Sequence, residues 1–395
     1  MTERPRRRRA VDFGDPAFFS GKPDAALARL RRRSPVHWDE ESGCWIVTGH
    51  RDIAEISRDP ERFSSSRGVL LSDRNRAVSA EDSLLYLDPP LHAQYRKLVN
   101  RAFTPRRVAD LEPRVRELTT ELLERIDPRR PTDLVEALAA PLPLLVIAEL
   151  LGLPASDRAD FRRWSDAIME AATNLTDDNA ALSLELIGYL QRHLEARRTL
   201  PSDDLLGFLM TAEVDGKRLS DKELVGFCMT LLVAGNETTR SMLTGGLVAL
   251  AEHPDQRAAL AEHPELIADA VEEMLRWVTP IMAMARTTTC PVALAGQPVG
   301  EGEYLAMVYA AANRDEEAFG ETADRFDATR SPNPHLAFGF GEHFCIGAGL
   351  ARLEGRVAVS EVLARWPDYK VVGPVERAPS TLLRQVRSVA VLFVP

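Results

Sequence analysis

The spacing of apolar residues predicts a mainly α-helical chain. Helical periodicity dominates, and residues 108–126 and 157–175 are clear examples. Short runs of β-type residues also occur, and two of them flank a polar, glycine-containing stretch, as in a hairpin. The predicted strand regions are residues 36–38, 44–48, 286–307 and 389–394. Many helices with a few short strands indicate a mainly α fold with small, segregated β-sheets.

The longest predicted helix contains a segment that does not suit a helix. Ser220 and Glu223 match a capping box, and the next strong stop is Pro254. The helix would be about 50 Å long and would form the spine of a large domain. Its middle, residues 234–239, reads Ala-Gly-Asn-Glu-Thr-Thr. Two interpretations stay open: a chance polar insertion facing a cavity, or a functional kink where a ligand approaches and an acid relays protons.

Composition and charge narrow the class of protein. Of 395 residues, 45% are hydrophobic and 27% are charged, which excludes a disordered chain. The formal net charge of −10 argues against general nucleic-acid binding. Prolines and a glutamate interrupt the most apolar stretch, residues 137–154, so we expect no membrane span. The arginine run at residues 6–9 precedes no apolar region, and residues 1–11 are predicted to be a disordered basic tail.

The four cysteines are too far apart in sequence for a zinc ribbon or a disulfide framework. They are Cys44, Cys228, Cys290 and Cys345. Such usage fits a reducing compartment and predicts a cytoplasmic protein.

Cys345 lies in a glycine-rich loop at the predicted start of a helix. Gly339 and Gly341 precede it, and a helical pattern follows it as far as Trp366. A helix N-terminus lowers the pKa of a thiol, so a nucleophile, a redox sensor and a metal ligand are all open interpretations.

The loop resembles the haem-binding loop of the cytochrome P450 family. Its matching positions are Phe338, Gly341, Cys345 and Gly347, in the spacing F-x-x-G-x-x-x-C-x-G. Three further motifs follow the family pattern: A-G-x-[DE]-T-[TS] at residues 234–239, E-x-x-R at Glu273 and Arg276, and H-x-x-x-R at His92 and Arg96. The resemblance is to soluble bacterial members and covers nearly the whole chain, from about residue 12 to 394.

The resemblance implies a fold, a cofactor and its ligands. Residues 12–395 would form a single cytochrome P450 haem domain with a long central helix. Haem b would be held by Cys345 as the thiolate ligand of the iron. Phe338 would pack near the sulfur, and glycines would permit close approach. The remaining cofactor-binding residues implied are His92, Arg96, Arg286 and His343 toward the propionates, and Ala234, Gly235, Gly341 and Gly347 along the backbone.

The resemblance also assigns two polar networks. Glu237 and Thr238 would be the catalytic acid–alcohol pair that delivers protons to dioxygen in a pocket that otherwise excludes water. Glu273 and Arg276 would form a buried structural network with a third arginine, for which Arg325 is the candidate.

By resemblance the enzyme inserts one oxygen atom from O2 into a hydrophobic small molecule. Similarity at residues 237–240 and 315–319 favours a steroid, terpenoid or fatty-acyl substrate, and a polyketide or macrolide hydroxylase is the alternative. A peroxygenase, a non-catalytic haem-thiolate sensor and a haem-free acyl-transfer enzyme are further alternatives. The acid–alcohol pair argues against the first two, and the third lacks a recognisable base.

We expect the electrons to come from a separate protein, for which the family suggests a ferredoxin with its ferredoxin reductase. The expected docking patch consists of Lys97, Arg101, Arg106, Arg107, Arg352 and Arg356. We expect the chain to be a monomer.

Overall fold

The computed structural model describes residues 13–21, 23–75, 83–171, 176–200, 204–213, 216 and 218–394. The predicted tail at residues 1–11 lies outside these ranges.

Helices make up most of the described chain, as the apolar periodicity predicts. In chain order they are α1 (Pro16–Ser20), α2 (Asp24–Arg33), α3 (His50–Arg58), α4 (Leu91–Asn100), α5 (Pro105–Asp110), α6 (Glu112–Leu123), α7 (Pro141–Leu150), α8 (Arg158–Ala171), α9 (Asp177–Thr199), α10 (Leu205–Thr211), α11 (Asp221–Glu252), α12 (Pro254–Glu262), α13 (Ile267–Val278), α14 (Tyr309–Ala312), α15 (Glu316–Phe319) and α16 (Ala348–Arg365). The predicted helix at 108–126 is divided between α5 and α6, because Pro113 occupies the first turn of α6. No helix among the residues described is long and apolar enough to cross a membrane.

The strands form small separate sheets, which confirms the predicted fold class. They are β1 (Val36–Asp39), β2 (Cys44–Val47), β3 (Phe63–Ser64), β4 (Thr132–Asp133), β5 (Met284–Thr288), β6 (Val292–Leu294), β7 (Gln297–Val299), β8 (Tyr304–Met307), β9 (Asp368–Val371), β10 (Glu376–Arg377), β11 (Val386–Ser388) and β12 (Ala390–Val394). The largest sheet has the order β1-β2-β8-β5-β3, and β4-β12-β9 form another. The predicted hairpin is confirmed, since β1 and β2 pair antiparallel with Val36 opposite Val47.

Helix α11 is the spine of the structure. The predicted capping box closes its start: the Ser220 side chain accepts from the Glu223 backbone N–H, and Glu223 accepts from the Ser220 backbone N–H. The helix packs against α7, α13 and α16, and its apolar residues lie in the two largest buried clusters. Because neighbouring helices hold α11 on several sides, the residues of its middle turns have fixed positions toward any cavity that the helix borders.

A buried ion network fixes the end of α13. Arg276 and Glu273 are both 0% exposed and form a bidentate pair at 2.6 and 2.7 Å. The third member is Arg330, whose Nε donates to Glu273 at 3.2 Å. The expectation of Arg325 was wrong, because that residue contributes only its backbone carbonyl, which accepts from Arg276 at 2.8 Å.

Candidate functional site

One cavity of about 970 Å³ lies between the middle of α11 and the loop that carries Cys345. Ten of the twelve predicted site residues line it: His92, Arg96, Ala234, Gly235, Thr238, Arg286, Phe338, His343, Cys345 and Gly347. Glu237 and Gly341 do not. Most of the other lining side chains are apolar, from α4, α9, α11 and the segment before β5. The cavity is therefore an apolar chamber with a thiol on one wall and a helix with a polar turn on the other.

The Cys345 loop is held in place mainly by its own backbone. The Cys345 N–H donates to the Phe338 carbonyl at 2.9 Å, and the Phe344 N–H donates to the Gly341 carbonyl at 3.1 Å. Gly339 and Gly341 have φ of +69° and +71°, which favours glycine. The loop therefore presents the thiol to the cavity at the start of α16.

The thiol is less acidic than its position at a helix start predicts. Burial raises the pKa of Cys345 above its ordinary value, and the Gly347 backbone N–H, Arg96 and Arg352 only partly oppose that rise. The lowered pKa expected from the sequence was wrong for the protein alone, because desolvation outweighs the helix terminus.

Gly341 packs against protein backbone, not against the cavity. A side chain at this position would place Cβ 2.0 Å from the Ser57 carbonyl oxygen, at the end of α3. The sequence predicts that Gly341 permits close approach of the backbone to the cofactor, whereas in the structure its close approach is to α3.

Four basic side chains meet at one end of the cavity. The rings of His92 and His343 lie 4.1 Å apart between centroids, and Arg286 is buried. Burial and the neighbouring arginines lower the pKa of His92 to about 4 and of His343 to about 2. Burial also lowers the pKa of Arg286. Burial is the main cause of each shift, and for the two histidines the neighbouring arginines add to it. A bound anion would favour the charged forms of these side chains, so the cluster is suited to an anion.

The polar turn of α11 faces the cavity without breaking the helix. Residues 221–252 are continuously α-helical, so the polar segment does not interrupt the helix. The Thr238 hydroxyl donates to the Ala234 carbonyl at 2.6 Å. Gly235 lines the cavity, and a Cβ there would approach Ile147 of α7 to 3.0 Å. The absence of a side chain at Gly235 therefore allows α11 to pack closely against α7 and also leaves room in the cavity.

Glu237 is turned away from the cavity that Thr238 lines. It is 2% exposed, accepts from Arg240 Nη1 at 3.3 Å and accepts a hydrogen bond from the Gln385 side-chain amide. Burial raises the pKa of Glu237, an effect that Arg240 and Gln385 oppose and that Asp166 adds to. The two predicted catalytic residues are adjacent in sequence but point into different surroundings in this conformation.

The comparisons with known proteins agree with this geometry. The cytochrome P450 family model matches residues 185–367. Linalool 8-monooxygenase of Pseudomonas putida is 35% identical over 402 residues, covering 97% of this chain and 99% of that protein. Steroid C26-monooxygenase of Mycolicibacterium smegmatis is 38% identical, covering 92% and 89%. The structure of CYP109E1 from Bacillus megaterium in complex with testosterone superposes with a TM-score of 0.86 at 35% identity, covering 94% and 99%.

The chain belongs to the cytochrome P450 family. It is a cytochrome P450 monooxygenase, and haem is its cofactor. The residues present fit that group. The thiol of Cys345 faces the cavity, the basic cluster suits carboxylates, and the buried Nε2 atom of His92 has no hydrogen-bond partner among the described residues. A cavity of this volume is large enough to place a small molecule beside a flat macrocycle.

Sequence reasoning about this cytochrome P450 missed one buried acid. Glu354 of α16 lines the cavity, is 2% exposed, and its Oε2 atom has no hydrogen-bond partner in the described part of the chain. Burial raises its pKa to about 8. A glutamate nine residues after a cysteine does not by itself indicate a cavity-lining residue. The helical pattern shows which face of the helix it lies on, but not what packs against that face.

The family resemblance also predicts that the substrate pocket is lined from residues 67–87, 167–189, 233–238, 281–285 and 381–383, and this prediction was correct in part. Leu84, Leu85, Ile187, Ile281 and Met284 do line the cavity. The expected stretch 381–383 does not line it directly, and residues 76–82 and 172–175 lie outside the described residues. Lining residues outside the expected stretches include Tyr95, Val99, Phe103, Ile147, Val225, Phe227 and Met229.

Proposed function

We propose that this cytochrome P450 hydroxylates a steroid, terpenoid or fatty-acyl type molecule. The observation that carries the proposal is the cavity itself: a basic cluster and a thiol mark one side, and the remaining wall is mostly apolar. An apolar wall with few polar groups binds a hydrophobic substrate by burial of its surface. The relatives named for linalool and for a steroid support the same class of substrate.

The proposed roles of the site residues follow from their positions. Cys345 ligates the haem iron as a thiolate, and Phe338 packs beside it; the Arg352 guanidinium lies 4.7 Å from the Phe338 ring centre. His92, Arg96, Arg286 and His343 pair with the propionates. Ala234, Gly235 and Gly347 shape the backbone around the cofactor, and Gly341 seats the cysteine loop against α3.

Proton delivery is the proposed task of Glu237 and Thr238. When bound, the haem supplies the oxygen-activating chemistry. Thr238 lines the cavity and holds its hydroxyl against the Ala234 carbonyl. Glu237, whose pKa burial raises, directly precedes Thr238 in α11 and is the proposed proton donor. An acid with a raised pKa holds its proton nearer to neutral pH, where general acid catalysis needs it.

The cofactor assignment is tested by the spectrum of the reduced, carbon monoxide-treated protein. We expect the strongly red-shifted Soret band of a thiolate-ligated haem in the native chain and in variants with Cys44, Cys228 or Cys290 replaced by serine. Cys345→Ala should lose the band, because its side chain supplies the sulfur. Retention of the band in Cys345→Ala would remove Cys345 as the ligand.

The substrate class is tested by turnover of a small panel. We expect coupled product formation from linalool or testosterone, and little from a macrolide of larger volume. Preferential turnover of the macrolide would favour the polyketide or macrolide alternative.

We also propose that a ferredoxin, reduced by a ferredoxin reductase, docks beside α5 and the start of α16. These helices pack together, since a Cβ on Gly349 would lie 3.7 Å from Val108. Lys97, Arg101 and Arg106 are exposed there. Three residues of the expected patch have other partners. Arg352 forms a bidentate pair with Glu272 at 2.7 Å, Arg107 lies over the Phe208 ring, and Arg101 donates to the Glu213 carbonyl at 3.3 Å.

Stopped-flow reduction by a ferredoxin tests this docking site. The rate should fall as salt is added, and Lys97→Glu with Arg106→Glu should slow it further while leaving the carbonyl spectrum intact. Arg129→Glu reverses an exposed charge outside the patch, where the side chain is 88% exposed, and this variant should be reduced at the native rate. Equal slowing by both changes would argue against the site.

The compartment and the oligomeric state are part of the same proposal. The four cysteines are free, as in proteins of the reducing cytoplasm, and we propose that the enzyme acts there as a monomer.

A further inference from the structure

The amide of Gln385 contacts the acid of the proposed proton path from outside the cavity. Its Nε2 donates to Glu237 Oε2, and Arg240 Nη1 donates to Glu237 Oε1 at 3.3 Å. The two donors therefore occupy different oxygens of one carboxyl group. Thr238, the next residue along α11, lines the cavity, and Glu237 does not.

Gln385 is held in place by backbone pairing to the cavity wall. It lies between β10 and β11, and its carbonyl accepts from the Ala378 N–H at 3.1 Å. One residue earlier, the Arg384 N–H donates to the Pro280 carbonyl at 2.9 Å. Leu383 forms a β-bridge with Ile281, and both Pro280 and Ile281 line the cavity. The amide thus has a fixed origin, so it orients the carboxyl and is not a freely moving neighbour.

The charges around Glu237 come from two helices. Arg240 belongs to α11, and Asp166 of α8 is the other charged group that acts on it. The positive charge of Arg240 acts on two carboxyl groups, since it also acts to lower the pKa of Asp166. A neutral amide that donates to the carboxylate adds a hydrogen bond without adding charge, and it stabilises the ionised form.

We propose that Gln385 is a positioning residue, which keeps the Glu237 carboxyl turned from the cavity and stabilises its ionised form between proton deliveries. The inference rests on the proton-donating role of Glu237 given under Proposed function. In each delivery the protonated carboxyl turns toward the cavity and its O–H bond breaks. The proton passes to an oxygen acceptor in the cavity. The carboxylate then returns to Gln385 and Arg240 and takes up a proton from solvent.

The test is an infrared titration of the holoenzyme. The carboxyl band of Glu237 is isolated by subtracting the spectrum of Glu237→Gln at each pH. Gln385→Met removes the amide donor at similar length, so the titration midpoint should move up by about one pH unit. Gln385→Glu should move it up further, because a second carboxylate disfavours ionisation. Gln297→Met, an exposed glutamine of β7, should leave the midpoint where it is in the native enzyme.

A midpoint that does not move in Gln385→Met would overturn the inference, as would a downward shift. Should Gln385→Met lose its fold, Gln385→Ala, which also removes the amide donor without adding a charge, decides by the same criterion.

The pH profile of product formation separates this inference from the function on which it rests. With linalool as the probe, product formation should fall as the pH rises through the pKa of Glu237, and Gln385→Met should shift that fall upward by the same amount. In a Glu237→Gln background the shift should vanish. A moved infrared midpoint with an unmoved profile would keep Gln385 as the positioning residue and would refute the proton-donating role of Glu237.

Discussion

Glu354→Gln should make the stability of the protein less dependent on pH. The native carboxyl is 2% exposed, and burial raises its pKa from 4.5 to about 8. Between these values the folded protein holds a proton that the unfolded chain has released. The unfolded state then binds fewer protons, so the free energy of unfolding falls as the pH rises.

The magnitude follows from the shift. Because one pKa unit corresponds to about 1.4 kcal/mol, raising the pH from 5.5 to 8 should cost the native protein about 3 kcal/mol through this one group. Glutamine keeps the shape of the side chain and does not titrate. The free energy of unfolding of Glu354→Gln, relative to the native protein, should therefore rise by about 3 kcal/mol across that interval.

Denaturant unfolding of the holoprotein at a series of pH values measures this difference, with constant m-values as the check that the transition is unchanged. Glu195→Gln replaces a glutamate of α9 that is 78% exposed, and its stability relative to the native protein should not vary with pH. If the difference for Glu354→Gln is equally flat, the carboxyl is ionised in the folded protein and the argument from burial is wrong.

Three further changes probe the loop, the spine and the network. Thr238→Ala should uncouple the reaction, so that donor consumption continues while product falls several-fold and hydrogen peroxide rises; unchanged coupling would remove Thr238 from the proton path. Gly341→Ala should cost more than about 1 kcal/mol and reduce haem retention, measured by the Soret band, because its Cβ would collide with Ser57 at a positive φ. Arg330→Ala should cost about 3–5 kcal/mol in denaturant unfolding, because it removes one buried partner of Glu273; a loss below 1 kcal/mol would contradict the network.

Motif spacing predicted which residues meet at one cavity, because a family motif fixes residue type and order along the chain. Cys345 and the four basic residues come from α4, β5 and the cysteine loop, and the fold gathers them at one cavity. The capping box at Ser220 was equally legible, since capping depends on neighbours three residues apart.

The direction in which a side chain points could not be predicted from the sequence. Arg325 and Arg330 lie five residues apart in an irregular segment, and only the folded backbone decides which of them reaches Glu273. The partner of Glu237, Gln385, is 148 residues away in sequence, and no local pattern connects the two. The predicted lowering of the Cys345 pKa was wrong for a related reason. A sequence shows that a cysteine lies at a helix start, but not the burial that raises its pKa.

The two sides of the cavity are held in place by different interactions. The residues of one side can therefore change in sequence without disturbing the other side. The cysteine loop depends on its own backbone bonds and on the fit of Gly341 against α3. The opposite wall consists of side chains such as Leu84, Ile187 and Met229, contributed by elements that are anchored elsewhere. Mutational libraries confined to that wall would explore new selectivity at little risk to cofactor retention. Because the cofactor side and the substrate side are held separately, one fold can keep its cofactor site while its substrate-facing wall changes during evolution.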